Sequence, residues 1–136
     1  MTTSGGGSGY LSLGGSYVSL VTDPDVDGSQ QLTIIVEKLE GACLRCSGQT
    51  TQPETVVFEL VGALANYTTL SFWSTNETDQ FIQLANLTVV DGIVSFVAQP
   101  DTVYTLSSLT GQQHGGFDLP IPQPGDFPFP YAGLCR

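Results

Sequence analysis

Residues 31–39 read QLTIIVEKL. Leu32, Ile34 and Val36 fall on one parity and Thr33, Ile35 and Glu37 on the other. This is the period-two pattern of a strand with one apolar face. The β-branched content reinforces it, because Val, Ile and Thr pack well on a pleated surface. Outward from this stretch the same signal recurs. In 55–61, Val56, Phe58 and Leu60 oppose Val57 and Glu59. In 69–74, Leu70 and Phe72 share a face. Trp73, Phe72, Phe58 and Phe96 read as core rather than as a sugar-stacking platform, with Trp73, of opposite parity, the one left open to exposure. Further runs are expected at 16–21, 81–90, 93–98 and 102–109. Clusters of Gly, Pro, Asp and Ser separate them, and no stretch has the periodicity of a long amphipathic helix.

Two connections are marked. Asp91-Gly92 lies between Thr88-Val89-Val90 and Ile93-Val94-Ser95-Phe96, the preferred two-residue hairpin signal. Residues 23–29 form a longer acidic loop. About seven short strands with such turns predict an all-β fold, an antiparallel β-sandwich. It is expected over 14–110. A Gly/Ser-rich lead-in occupies 1–13. A strap follows at 111–136, where most of the prolines lie and alternation stops, since proline has no N–H for a ladder.

Of the 136 residues, 40% are hydrophobic and 12% are charged, and the formal net charge is −10. The charged share is about half the usual one. A chain this acidic lacks the basic footprint that nucleic acid requires. No apolar run reaches the roughly 20 residues of a membrane helix. The N-terminus has no charged and apolar leader. Yet the only asparagines, Asn66, Asn76 and Asn86, stand in NYT, NET and NLT. All three match the N-glycosylation pattern. The reading is a segment of a longer secretory precursor, against a Thr-rich strand protein that meets the pattern by chance.

Asp23, Asp25 and Asp27 followed by Gly28 open like a calcium loop, but the twelfth position, which should be a bidentate glutamate, is Ile34. A solvated hairpin loop is the preferred reading and a weak calcium site the alternative. No cofactor is expected. No carboxylate pair stands out for acid/base work, and His114, the only histidine, reads as an exposed loop residue. GACLRCSG (41–48) holds Cys43 and Cys46 with Arg45 between them. A redox C-x-x-C needs a helix after it, and SGQTTQPET is not one. A zinc site would have to recruit His114 and Cys135. In a secreted β-domain a disulfide is the default, but three cysteines leave one over.

GGSYVSL (14–20), LTIIVEKLEGACLR (32–45) and VYTLSSLTGQQHGGFDLPIPQPGDFPFPY (103–131), in this order and spacing, resemble the β-sandwich segment of the galactocerebrosidase (galactosylceramidase) family. These are lysosomal hydrolases that remove galactose from galactosylceramide and psychosine. The resemblance covers nearly the whole chain. It implies partner domains, a TIM barrel and a lectin-like module, with the two catalytic glutamates of a retaining mechanism on the barrel. This chain alone would then be no enzyme. It implies that Arg45, in the family's Cys-x-Arg motif, reaches the galactose of a galactosyl lipid. It further implies that Cys43 bridges to the barrel, and that the parent is lysosomal or secreted. Cys46 departs from the pattern, which has proline after the arginine, and so does the terminal AGLCR. A free-standing carbohydrate-binding or adhesion module, or an inert truncation product, is the competing expectation.

Overall fold

The computed structural model describes residues 6–39 and 50–112. In chain order they form β1 (Ser8–Tyr10), β2 (Ser16–Val21), β3 (Leu32–Glu37), β4 (Glu54–Glu59), a 3-10 helix (Gly62–Asn66), β5 (Thr69–Thr75), β6 (Ile82–Gln83), β7 (Leu87–Thr88), β8 (Ile93–Ala98) and β9 (Val103–Ser107). The larger sheet has the order β1-β2-β3-β9-β5-β6, with β7 also paired to β5. The second sheet is β4-β8. Every pairing is antiparallel. The two sheets enclose one core, so the expected all-β sandwich is the observed fold.

The alternation in β3 decides its burial. Leu32, Ile34 and Val36 are buried, while Thr33, Ile35 and Glu37 are half-covered. Val94, Phe96 and Ala98 of β8 and Val56 of β4 close over them from the second sheet. Phe72, Phe96 and Tyr104 form an aromatic triangle with centroids 4.9–5.5 Å apart, and Tyr17 meets Phe58 edge-on at 5.3 Å. Each fully buried aliphatic or aromatic side chain contributes about 1.5–3 kcal/mol relative to exposure.

Four details correct or sharpen these expectations. First, 81–90 is not one strand. Ile82–Gln83 pairs with the end of β5 and Leu87–Thr88 with its beginning. Phe81 has a left-handed φ of 51°, which turns the chain before the first ladder. Second, the Asp91-Gly92 turn is present, with both residues at positive φ (52° and 75°), the type I′ geometry. It closes a single bridge, Val90 to Ile93, while β8 pairs along its length with β4. Third, Trp73 is 1% exposed, so the core reading of the aromatics holds and the exposure left open for Trp73 is not found. Parity places it on the outer face of β5, but Phe81 folds back and stacks on the indole at 5.4 Å and 4°. Its Nε1 has no hydrogen-bond partner among the described residues. Fourth, residues 8–10, inside the expected lead-in, form β1 on the edge of β2.

Candidate functional site

At one end of the sandwich β3 stops, β4 starts and the β8–β9 turn passes between. Lys38, the residue after β3, is the one buried charged side chain among the described residues, at 0% exposure. Its Nζ donates to the Leu13 carbonyl (3.0 Å), the Gly14 carbonyl (2.7 Å) and Glu54 Oε2 (2.7 Å). Three ammonium protons thus meet three oxygens, which is what lets a lysine leave water. Glu54, the first residue of β4, also accepts the N–H groups of Ser12 and Leu13, both at 3.1 Å, and the Ser12 hydroxyl. Burial pushes its carboxyl up, but hydrogen bonds from Lys38, Ser12 and Leu13, with the Lys38 charge, outweigh this and lower it to about 2.

The N-terminal segment reaches this cluster because of two glycines. Gly14 and Gly15 have φ of 85° and 103°, open to glycine and strained for other residues. A Cβ on Gly15 would lie 2.4 Å from the Glu37 carbonyl. The close pass puts the Leu13 and Gly14 carbonyls over Lys38. Gln52 N–H donates to Leu13 O (3.1 Å), and the Lys38 backbone is bonded to Thr102 O and to Asp101 N–H at 3.0 and 2.9 Å. Residues 38 and 54 are therefore held to one another and to two further segments. The chain between them carries Cys43, Arg45 and Cys46. These three lie outside the described residues, as do His114 and Cys135. Lys38–Glu54 was not singled out by sequence. A lysine at the buried parity of β3, extending the Leu32-Ile34-Val36 series by one step, was the available signal.

The acidic loop lies at the opposite end, joining β2 to β3. Asp27 accepts the Ser29 N–H at 2.9 Å, and hydrogen bonds from Ser29 hold its carboxyl below the usual range. Asp25 makes backbone turn bonds with Gly28 and Ser29. Asp23, Asp25 and Asp27 are not brought together: no group of three or more His, Cys, Asp or Glu able to hold a metal occurs among the described residues. The sequons are spread over the surface. Asn66 ends the 3-10 helix and is exposed, as is Asn86 between β6 and β7. Half-buried Asn76 caps its own turn, its Oδ1 accepting from Thr78 N–H (2.9 Å), Thr78 Oγ1 (3.0 Å) and Asp79 N–H (2.8 Å). A shallow groove of about 510 Å³ on the outer face of β1–β3 includes Tyr10, Ser16, Ile35 and Glu37. It has one carboxylate, whereas glycoside hydrolysis ordinarily uses two. No helix among the described residues is long and apolar enough to cross a membrane.

The fold and this loop-bearing end define an antiparallel β-sandwich module with a charged anchor between its sheets. Residues 4–113 match the model of the glycosyl hydrolase family 59 central domain, and the chain belongs to that family. It is 34% identical over 134 residues to galactocerebrosidase of Canis lupus familiaris, 33% to that of Danio rerio and 31% to that of Homo sapiens. Each match covers 90% of this chain. The chain spans 19%, 19% and 18% of the length of those relatives.

Proposed function

We propose that the chain is the non-catalytic central β-sandwich of a galactosylceramidase-type glycoside hydrolase, and that it lends Arg45 to the galactose site. The observation that carries this reading is the match of residues 4–113 to the family 59 central domain. The relatives it matches are about five times longer, which leaves room for a TIM barrel bearing the two catalytic carboxylates and for a lectin-like domain. Those relatives are galactocerebrosidases, which supports a galactosyl lipid as the substrate class. Arginine suits the proposed role. It keeps its charge at acidic pH and offers a planar fork of donors to sugar hydroxyls. Cys43 is assigned a disulfide to the barrel, and Asn66, Asn76 and Asn86 are assigned glycans in a lysosomal or secreted parent.

An exposed Trp73 would have favoured the competing carbohydrate-binding module, and that indole is buried. The test is Arg45→Ala in the complete polypeptide. A fall in kcat/KM toward a galactoside supports the reading, and unchanged kinetics overturn Arg45's role. Hydrolysis by the isolated 136-residue chain would overturn the non-catalytic assignment.

A further inference from the structure

We infer that the groove between the β2–β3 loop and the 3-10 helix seats the first sugar of a glycan on Asn66, and that this sugar packs on Tyr67 and fastens the acidic loop to the sandwich. The inference rests on the proposed glycan at Asn66 and deepens it. In that modification Nδ2 of Asn66 gives up one proton and bonds to the anomeric carbon of an N-acetylglucosamine, and the lipid diphosphate that carried the oligosaccharide leaves.

The three acceptor asparagines are not equivalent. Asn76 is half-buried, and its Oδ1 takes three hydrogen bonds from its own turn. Asn66 and Asn86 are exposed. The Asn66 side chain makes no hydrogen bond among the described residues, and it forms part of the wall of a groove of about 320 Å³ together with Tyr67 and residues 27–30. That volume lies at the lower end for small-molecule sites. It has room for one sugar ring, with the rest of the glycan running out into solvent. The walls suit such a ring. Tyr67 is half-buried and packs against the core, and its hydroxyl donates to the Gln30 carbonyl at 2.7 Å. Its aromatic face is therefore held in place, an apolar surface for the C–H face of the sugar and its acetyl methyl. The Asp27 carboxylate and the Gln30 amide stand in the same wall, acceptors for the sugar hydroxyls. Gly28, at φ 80°, leaves open space, with nothing within 4 Å of where a Cβ would be. The short link to Nδ2 keeps the ring beside its asparagine, so the contact is intramolecular and avoids the loss of translational freedom. The loop has use for a further tie. The backbone bonds of Asp25 and Gly28, and that of Asp27 to Ser29, all stay within it.

The test is hydrogen exchange of the Gly28 and Ser29 amides in the complete polypeptide, secreted from eukaryotic cells with high-mannose glycans. Four forms are compared: wild type, wild type trimmed by an endoglycosidase that leaves one N-acetylglucosamine, Thr68→Ala, which removes the acceptor pattern at Asn66, and Asn86→Gln. Mass spectrometry of the peptide carrying Asn66 reads its occupancy separately. With Asn66 occupied, the two amides are expected to exchange about tenfold more slowly than in Thr68→Ala. The slowing survives trimming to a single sugar and is unchanged in Asn86→Gln. Equal exchange in occupied wild type and Thr68→Ala, or loss of the slowing on trimming, overturns the seat in the groove and leaves the glycan itself standing. Asn66→Gln guards against an effect of the Thr68 side chain alone: it must match Thr68→Ala, and exchange like that of occupied wild type there also overturns the inference. If mass spectrometry finds Asn66 bare, the glycan assignment at this residue falls, and the inference with it.

Discussion

Glu54→Gln tests the anchor directly. The substitution keeps the volume of the side chain and removes its charge. Lys38, fully buried, then has two carbonyls and a neutral amide. Taking one partner from a buried pair leaves an uncompensated charge and costs about 3–5 kcal/mol. The carboxyl itself supplies a second measure. Its value falls from 4.5 to about 2 on folding. At about 1.4 kcal/mol per pKa unit the upper limit is about 3.5 kcal/mol, and screening at the solvent-facing side of Glu54 reduces this to about 2 kcal/mol. The sign follows from proton uptake. The unfolded chain binds the proton first, so the contribution is complete above pH 4.5 and is lost as pH falls through about 2. Urea unfolding followed by Trp73 fluorescence, at several pH values, reads both effects. Wild type is expected to exceed Glu54→Gln by about 2–4 kcal/mol at pH 6, with the gap closing in strong acid. A gap below about 1 kcal/mol, typical of an exposed pair, or one that does not change with pH, refutes the reasoning.

Three further outcomes follow from the same geometry. Trp73→Ala removes the most voluminous fully buried side chain and is expected to cost about 3–5 kcal/mol in urea unfolding followed by far-ultraviolet circular dichroism. A cost like that of a surface change would mean the indole is exposed. Gly15→Ala is expected to lower the melting temperature sharply, because the residue sits at φ 103° and its new Cβ meets the Glu37 carbonyl at 2.4 Å. An unchanged melting temperature would show that the close pass is not needed. Expression through a eukaryotic secretory pathway is expected to give a mobility ladder that collapses with an endoglycosidase, and Thr78→Ala should remove one step of it. The absence of any ladder would return the three sequons to chance.

Much of the fold is legible because strand periodicity is local. The alternation of Leu32, Ile34 and Val36 requires only that one face be covered, and it is covered. Asp91-Gly92 likewise states its turn type through backbone sterics alone. The segment 81–90 was misread because propensity does not reveal interruption. Its residues are individually acceptable in strands, and the break depends on where β5 offers hydrogen bonds. Parity alone left Trp73 open to exposure for a related reason. Parity predicts the face of a strand but not what lies over that face, and the cover comes from Phe81, eight residues on. Lys38 and Glu54 lie sixteen residues apart and are joined by no period or motif.

By itself, then, the sequence determined the β class, the inner face of β3, β4 and β5, the tight turn and, through the order of its motifs, the family. Those are consequences of side-chain alternation, backbone sterics and linear pattern, all of which act over short distances. Only the tertiary structure decided that β3 lies between β2 and β9, that β4 and β8 leave the larger sheet to cover it, and that Lys38 is buried against Glu54. Such pairings are set by competition among distant segments for the same hydrogen bonds and the same apolar surface. The outcome at the loop-bearing end is a lysine whose burial is acceptable only because two glycines bring two carbonyls to it.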